Sequence, residues 1–131
     1  DVIAGKEQSA WADHTAVPQV MFTDPELAAV GLSEQQAREA GIDVKTVSYE
    51  IGSVAGGALL GAQGRAQLVI DQSERVVVGA TFVGPNVGEM LHAATIAVVG
   101  KVPIATLWHA VPAFPTVSEV WLRLLEADRG V

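Results

Sequence analysis

The 131-residue sequence contains no cysteine. This absence excludes a disulfide scaffold, a thiolate metal site and a cysteine nucleophile within these residues. The three histidines, His14, His92 and His109, lie far apart, and neither an H-x-x-x-H nor an HExxH spacing supports a zinc site. Because no nucleophile is paired with a base either, the sequence predicts neither a metal site nor a hydrolytic enzyme.

Basic residues are also scarce. The sequence has 8 lysines and arginines against 15 acidic residues, a formal net charge of −7, and its basic residues are scattered. Nucleic acid is held by clustered basic side chains, so we do not expect it as a partner. No apolar run approaches the roughly 20 residues of a membrane-spanning helix, and no signal peptide is visible. We therefore expect a cytoplasmic protein without membrane contact.

Apolar residues make up 50% of the sequence and charged residues 18%, a composition typical of one globular domain with one core. The chain begins at Asp1 rather than at a methionine, so we expect it to be part of a longer protein, with cofactor sites upstream. Residues 1–16, an apolar start followed by glycine and polar residues, are predicted to be the end of a preceding element and a linker. Residues 17–131 are predicted to form the domain.

Several segments predict strands. Residues 17–24 are β-branched and aromatic, and residues 44–51 alternate apolar with polar side chains. Residues 65–71 and 75–84 flank a short polar turn, which predicts an antiparallel hairpin. These strands, with helices between and after them, predict an α+β fold in which an antiparallel sheet has helices packed on one side.

Helix starts are indicated by three capping-box spacings: Ser33 with Gln36, Asn86 with Glu89, and Thr116 with Glu119. The first helix should stop at Gly41, the second should run over residues 87–99, and the third should be amphipathic, with Val120, Leu124 and Trp121 facing inward. Residues 25–31 should form about two helical turns, and Pro103 should open a short helix that ends at Trp108.

The segment at residues 52–64 has five glycines in thirteen residues. Such a composition raises the question of a phosphate-binding loop. However, neither G-x-G-x-x-G nor G-x-x-x-x-G-K-[ST] is present. The segment is therefore interpreted as a flexible connection.

Three sequence segments, in this order, carry a resemblance to a known family: "VPQVMFTDPELAAVGLSEQQAREAG", then "GRAQLVID" with "VVVGATFVGPNVGEMLHAATIAV", and then "FPTVSEV". Residues 17–127 resemble the C-terminal dimerisation domain of the flavin-dependent pyridine nucleotide-disulfide oxidoreductases. The opening "DVIAG" is similar to the last helix of the preceding FAD domain in that family.

The resemblance implies cofactors and partners for a full-length protein. It implies upstream FAD and NAD(P)H domains, so FAD and NAD(P)H would be bound by the full-length protein and neither cofactor by this domain alone. It also implies a homodimer in which this domain forms most of a two-fold interface. The isolated domain is expected to be inactive.

The resemblance further implies that the last loop of the domain enters the partner's flavin site. Most family members carry His-Pro-Thr there, with the histidine as general acid and base and a following glutamate that orients it. The match places Phe114 at the histidine position and Glu119 at the position of that glutamate. The backbone of Phe114 and Pro115 is implied to contact the partner's flavin, and the family's His-Pro bond implies a cis Phe114-Pro115 bond.

Phe114 cannot transfer a proton, so the parent chemistry is predicted to differ from standard disulfide reduction. Its side chain is interpreted either as a core aromatic or as an apolar wall beside the partner's flavin. Relatives with Tyr-Pro-Thr at this place include soluble transhydrogenases, and a transhydrogenase-like or quinone-reductase-like activity fits better than mercury reduction. His109 would replace the missing base only if the loop folded back, and otherwise it is a histidine at a helix end or on the surface. The alternative function is a stand-alone ligand-binding or protein-binding module with the same fold.

Overall fold

In the computed structural model, which describes residues 15–131, one antiparallel sheet has the strand order β1-β2-β5-β4-β3. The strands are β1 (Gln19–Met21), β2 (Glu26–Gly31), β3 (Val44–Glu50), β4 (Arg65–Asp71) and β5 (Val76–Gly84). The predicted antiparallel sheet is thereby confirmed. The interpretation of residues 1–16 as a helix end and linker falls almost entirely outside the described residues.

Helices follow and interrupt these strands: α1 (Glu34–Glu39), α2 (Ala55–Leu59), α3 (Leu91–Val99), α4 (Ile104–Leu107) and α5 (Val120–Arg129). Single 3-10 turns cover Ile51–Ser53, Val87–Met90 and Val117–Glu119. The second of these turns leads into α3 and the third into α5. The predicted α+β class is therefore confirmed.

One prediction is wrong: residues 25–31 were expected to be helical, but Glu26–Gly31 form strand β2. The segment pairs with β1 on one side and with β5 on the other. Its side chains alternate, with Ala28 and Val30 buried and Leu27 and Ala29 partly exposed. Helix propensity is a weak preference, and pairing with β5, some fifty residues away, overrides it. The strand predicted at residues 17–24 is confirmed only over Gln19–Met21.

The β4–β5 hairpin is confirmed at its predicted place. The carboxylate of Asp71 accepts hydrogen bonds from the backbone N–H groups of Ser73 (2.8 Å) and Glu74 (2.9 Å), which closes the turn. Arg75 ends the turn in the left-handed conformation, with a φ of 55°. Its carbonyl accepts a hydrogen bond from Ile104 N at 2.8 Å, so the hairpin turn also holds the start of α4.

Helices α3 and α5 pack on one face of the sheet, and the main core lies between them and the strands. Phe82 of β5 is fully buried there, and its ring lies 6.5 Å from that of Trp121, centroid to centroid. Val120 and Leu124 are buried and Trp121 is half-buried, as predicted for the amphipathic helix. The short helix α1 instead packs Ala37 against Val44 and Val69 on the opposite face of the sheet.

The capping-box predictions have different outcomes. At α1 the box is present: Ser33 Oγ accepts from Gln36 N (3.1 Å) and Gln36 Oε1 accepts from Ser33 N (3.0 Å). At Asn86 it is absent, because this residue is left-handed (φ 59°) and makes no side-chain cap bond. At Thr116 it is also absent, since the hydroxyl and the partner carboxylate bond elsewhere, as described below.

Candidate functional site

The candidate site is the loop of residues 111–116, here called the Phe114 loop, between α4 and the 3-10 turn that opens α5. Its Phe114-Pro115 peptide bond is cis, as the resemblance implied. The hydroxyl of Thr116 donates a hydrogen bond to the carbonyl of Ala113 at 2.6 Å. This bond closes the backbone around Phe114 and Pro115 into a turn with a defined conformation.

The apolar side chains of the Phe114 loop point away from the core. Phe114 is 74% exposed and Val111 is 82% exposed, although both are large and apolar. Single exposed apolar side chains are common on protein surfaces, whereas a contiguous set marks a contact surface. Whether the loop is part of such a set depends on its neighbours.

The neighbouring surface is an open apolar groove of about 310 Å³. Helices α3, α4 and α5 and the start of the Phe114 loop build it together. We call it the α3 groove; it is lined by Ala93, Ile96, Leu107, Ala110, Pro112, Ser118, Trp121 and Leu125. Ile96, in the exposed wall, has 55% of its surface accessible. Pro112 belongs to both the groove and the Phe114 loop, so the two form a contiguous set of apolar side chains.

Helix α3 explains why this groove is apolar. Its inward residues Leu91, Ala94, Ala97 and Val98 are buried against the sheet, yet Ala93 and Ile96 on its outer side are apolar as well. A helix that is apolar on nearly every side is usually buried on nearly every side. The outer side of α3 is therefore suited to contact with another protein surface.

Glu119 does not cap its own helix. Its carboxylate accepts a hydrogen bond from the backbone N–H of Ala55, at the start of α2, at 3.4 Å. A hydrogen bond to Glu126 raises the pKa of Arg123, and the negative charge of Glu119 acts in the same direction. Glu119 thus links the segment after the Phe114 loop to the glycine-rich segment, a contact that its spacing from Thr116 could not indicate.

The glycine-rich segment is folded, so its interpretation as a flexible connection is wrong. It overlaps the 3-10 turn Ile51–Ser53 and contains the helix α2, with Gly56 and Gly57 buried. A Cβ at Gly56 would collide with the backbone of Thr116 and Val117. The glycine is needed because the end of the Phe114 loop, at Thr116, and the following Val117 lie directly against α2.

His109 lies at the end of α4, where its backbone N–H donates to the carbonyl of Thr106 at 3.0 Å. His109 is exposed to solvent. This is the position of a helix-end histidine on the surface. The structure therefore favours the simpler of the two interpretations of His109.

Other site types find little support in the part of the chain that the structure describes. Residues 15–131 hold no group of three or more histidine, aspartate or glutamate side chains arranged for a metal ion. Within the same range no helix is long and apolar enough to cross a membrane. Two larger depressions, of about 450 and 600 Å³, are both lined by Thr15 and Leu32, and neither includes the Phe114 loop.

Comparison with known proteins gives a consistent result. Residues 17–125 match the family model for the pyridine nucleotide-disulphide oxidoreductase dimerisation domain. The chain is 31% identical over 131 residues to the dihydrolipoyl dehydrogenase of Geobacillus stearothermophilus, covering 99% of this chain and 27% of that protein. It is 38% identical over 118 residues to the mercuric reductase of Staphylococcus aureus, covering 88% of this chain and 21% of that protein.

Solved structures share the fold. The HOCl-induced flavoprotein disulfide reductase RclA from Escherichia coli superposes with a TM-score of 0.84 and 24% identity, over 96% of this chain and 29% of that one. This likeness concerns the fold alone. In sequence, the chain spans about a quarter of the length of the curated relatives that it matches.

Proposed function

The chain belongs to the pyridine nucleotide-disulphide oxidoreductase family as its dimerisation domain, and on this basis we propose how it works in a full-length flavoprotein. Two copies pair through the α3 groove, and the Phe114 loop of each copy enters the flavin site of the other. The full-length protein binds FAD and NAD(P)H through other domains. The observation that carries the proposal is the continuity between the exposed Phe114 loop and the α3 groove.

Pairing of identical copies is supported by the chemistry of the groove. A two-fold contact places the same patch of both copies against each other, so the patch must be complementary to itself. An apolar surface built around Ile96, Ala93 and Pro112 meets this condition, whereas a surface of one charge would repel its own copy. The net charge of −7 makes it significant that the groove is lined by apolar residues and one serine.

The Phe114 loop fits a flavin ring as its neighbour. Phe114 offers an exposed aromatic face, and the Thr116 hydroxyl fixes the backbone around Pro115. When bound, FAD supplies hydride and electron transfer between a nicotinamide and an acceptor. In this arrangement Phe114 and Pro115 contact the ring and exclude water from one side of it.

The same residues support a chemistry other than standard disulfide reduction. Phe114 has no titratable group, so it can neither accept a proton from a thiol nor return one. Glu119, at the position of the orienting glutamate, accepts instead from Ala55 N. We therefore propose that the full-length protein has a transhydrogenase-like or quinone-reductase-like activity. In such an activity, hydride passes from a nicotinamide through FAD to the acceptor without acid and base catalysis by this loop.

Sedimentation velocity of the full-length flavoprotein, combined with titration of its FAD content, tests the proposal. We expect a dimer that binds one FAD per subunit. The isolated 131-residue chain should bind none. A full-length protein that stays monomeric with FAD bound contradicts the proposed pairing and favours the alternative, in which the α3 groove binds a different protein.

A further inference from the structure

The glycine-rich segment has a role that neither its sequence nor the family match assigns. We propose that Gly56 is a positioning residue for the Phe114 loop: its missing side chain lets α2 serve as the surface on which the backbone of Thr116 and Val117 rests. This inference rests on the proposed function, because it concerns where Phe114 is presented to the partner's flavin. Gly56 itself touches neither substrate nor cofactor.

The first support is the direction in which Gly56 faces. A Cβ at this position would meet the carbonyl carbon and Cα of Thr116 and the nitrogen of Val117. All three are backbone atoms, which cannot rotate away as the end of a side chain can. Any residue other than glycine must therefore move either α2 or the chain that directly follows Phe114 and Pro115.

The second support is the contrast with the adjacent glycine. Gly57 is buried in the same helix, but a Cβ there would meet the carbonyl of Ile51, the residue directly before the glycine-rich segment, and would also approach Gly52 within the segment. The two positions therefore separate two requirements: Gly57 allows the segment to fold on itself, and Gly56 allows the Phe114 loop to lie against it.

The third support is a bond at the same contact. Glu119 accepts from Ala55 N, one residue before Gly56, so a hydrogen bond and a close backbone approach occur together. Thr116 also closes the turn of the Phe114 loop through its hydroxyl. A shift of Thr116 at α2 is consequently transmitted to Phe114, two residues earlier, through a turn that has little freedom.

The test compares Gly56→Ala with Gly57→Ala in the full-length flavoprotein, with Phe114→Ala as the reference for loss of the loop contact. Each glycine variant adds one buried methyl group. For dimers with full FAD content, the measurements are the visible absorption band of oxidised FAD and kcat and KM for NADH with a benzoquinone as acceptor. We expect Gly56→Ala to shift the band in the same direction as Phe114→Ala.

We also expect Gly56→Ala to lower kcat by about tenfold or more, as a displacement near 1 Å can do, with KM for NADH little changed. Gly57→Ala should lower the melting temperature but leave the band and kcat per FAD unchanged. If Gly56→Ala fails to fold, Glu119→Ala serves instead: it should shift the band as Phe114→Ala does. Glu119→Gln, which keeps an acceptor oxygen for Ala55 N, should restore the band.

The possible results distinguish a failure of the positioning role of Gly56 from a failure of the proposed function. If Phe114→Ala changes the band and Gly56→Ala does not, the positioning role is overturned and the proposed function stands. Equal effects of Gly56→Ala and Gly57→Ala also overturn it, because they would show general destabilisation. If Phe114→Ala itself leaves the band and kcat unchanged, the proposed function fails and the positioning role fails with it.

Discussion

The guanidinium of Arg75, at the β4–β5 turn, donates hydrogen bonds to both carboxylate oxygens of Asp128 in α5, at 3.4 and 2.5 Å. The Asp128 side chain is only 2% exposed, and Lys45 Nζ lies 3.5 Å from its Oδ1. A carboxylate removed from water in this way requires partners. The C-terminal helix is therefore attached to β3 and to the hairpin through one buried acidic group.

Removal of one partner of this carboxylate should destabilise the domain. We expect Arg75→Ala to lower the free energy of unfolding by about 1–3 kcal/mol, because it leaves Asp128 incompletely paired. The matched control is Arg65→Ala, which removes an exposed ion pair with Glu50 (2.8 Å) and should cost less than about 1 kcal/mol. Urea unfolding of the chain measures both, and equal costs would argue against a structural role for Asp128.

The ring of Phe82 is the largest fully buried side chain of the core. Phe82→Ala should lower the free energy of unfolding by about 3–5 kcal/mol, because it leaves a cavity beside Trp121. Phe22, which is 83% exposed, provides the comparison: Phe22→Ala should change stability by no more than about 0.5 kcal/mol. Similar losses for both variants would show that the core is not centred on β5.

Local signals account for the parts of the fold that the sequence predicts well. The turn residues between β4 and β5, the capping box of Ser33 and the apolar stripe of α5 act over a few residues, so each is visible in the sequence. Strand β2 is different, because residues 26–31 are extended through pairing with β1 on one side and, over their whole length, with the distant β5 on the other. No local pattern contains that information.

The candidate site also depends on contacts between residues that are far apart in sequence. The cis Phe114-Pro115 bond could be predicted, because the resemblance covers this loop residue by residue. The bond between Glu119 and Ala55 joins residues 64 apart in sequence, and it replaces the local capping box that the spacing from Thr116 indicated. The burial of Gly56 depends on the same contact, which is why a glycine-rich helix looked like a flexible connection.

A charge in the α3 groove should separate the subunits. We expect Ile96→Glu to convert the full-length dimer to monomers, because a two-fold contact through the α3 groove would bury the introduced charge of both copies in an apolar interface. Ala40→Glu adds the same charge at an exposed position after α1, on the opposite face of the sheet, and should leave the dimer intact. Sedimentation velocity distinguishes the two results; dissociation of neither variant would move the interface away from the groove.

Restoring a histidine should not by itself restore disulfide chemistry. In the full-length protein, Phe114→His is expected to show no gain in NADH-dependent reduction of a dithiol disulfide, because an imidazole only transfers protons and disulfide turnover also needs a redox-active cysteine pair, which these 131 residues do not contain. Phe114→Tyr is the control for a change of ring without a base at neutral pH. Appreciable disulfide turnover by the unmodified protein would contradict the role given to Phe114.

Photocrosslinking can show whether Phe114 of one subunit reaches the flavin site of the other. Phe114 is replaced by the photoreactive p-benzoylphenylalanine in the full-length flavoprotein, the dimer is irradiated, and the products are analysed by mass spectrometry. We expect a covalent product of twice the subunit mass, or FAD attached at position 114 that is lost in the monomeric Ile96→Glu variant. Crosslinks confined to single subunits of an intact dimer, with no attachment to FAD, would contradict it.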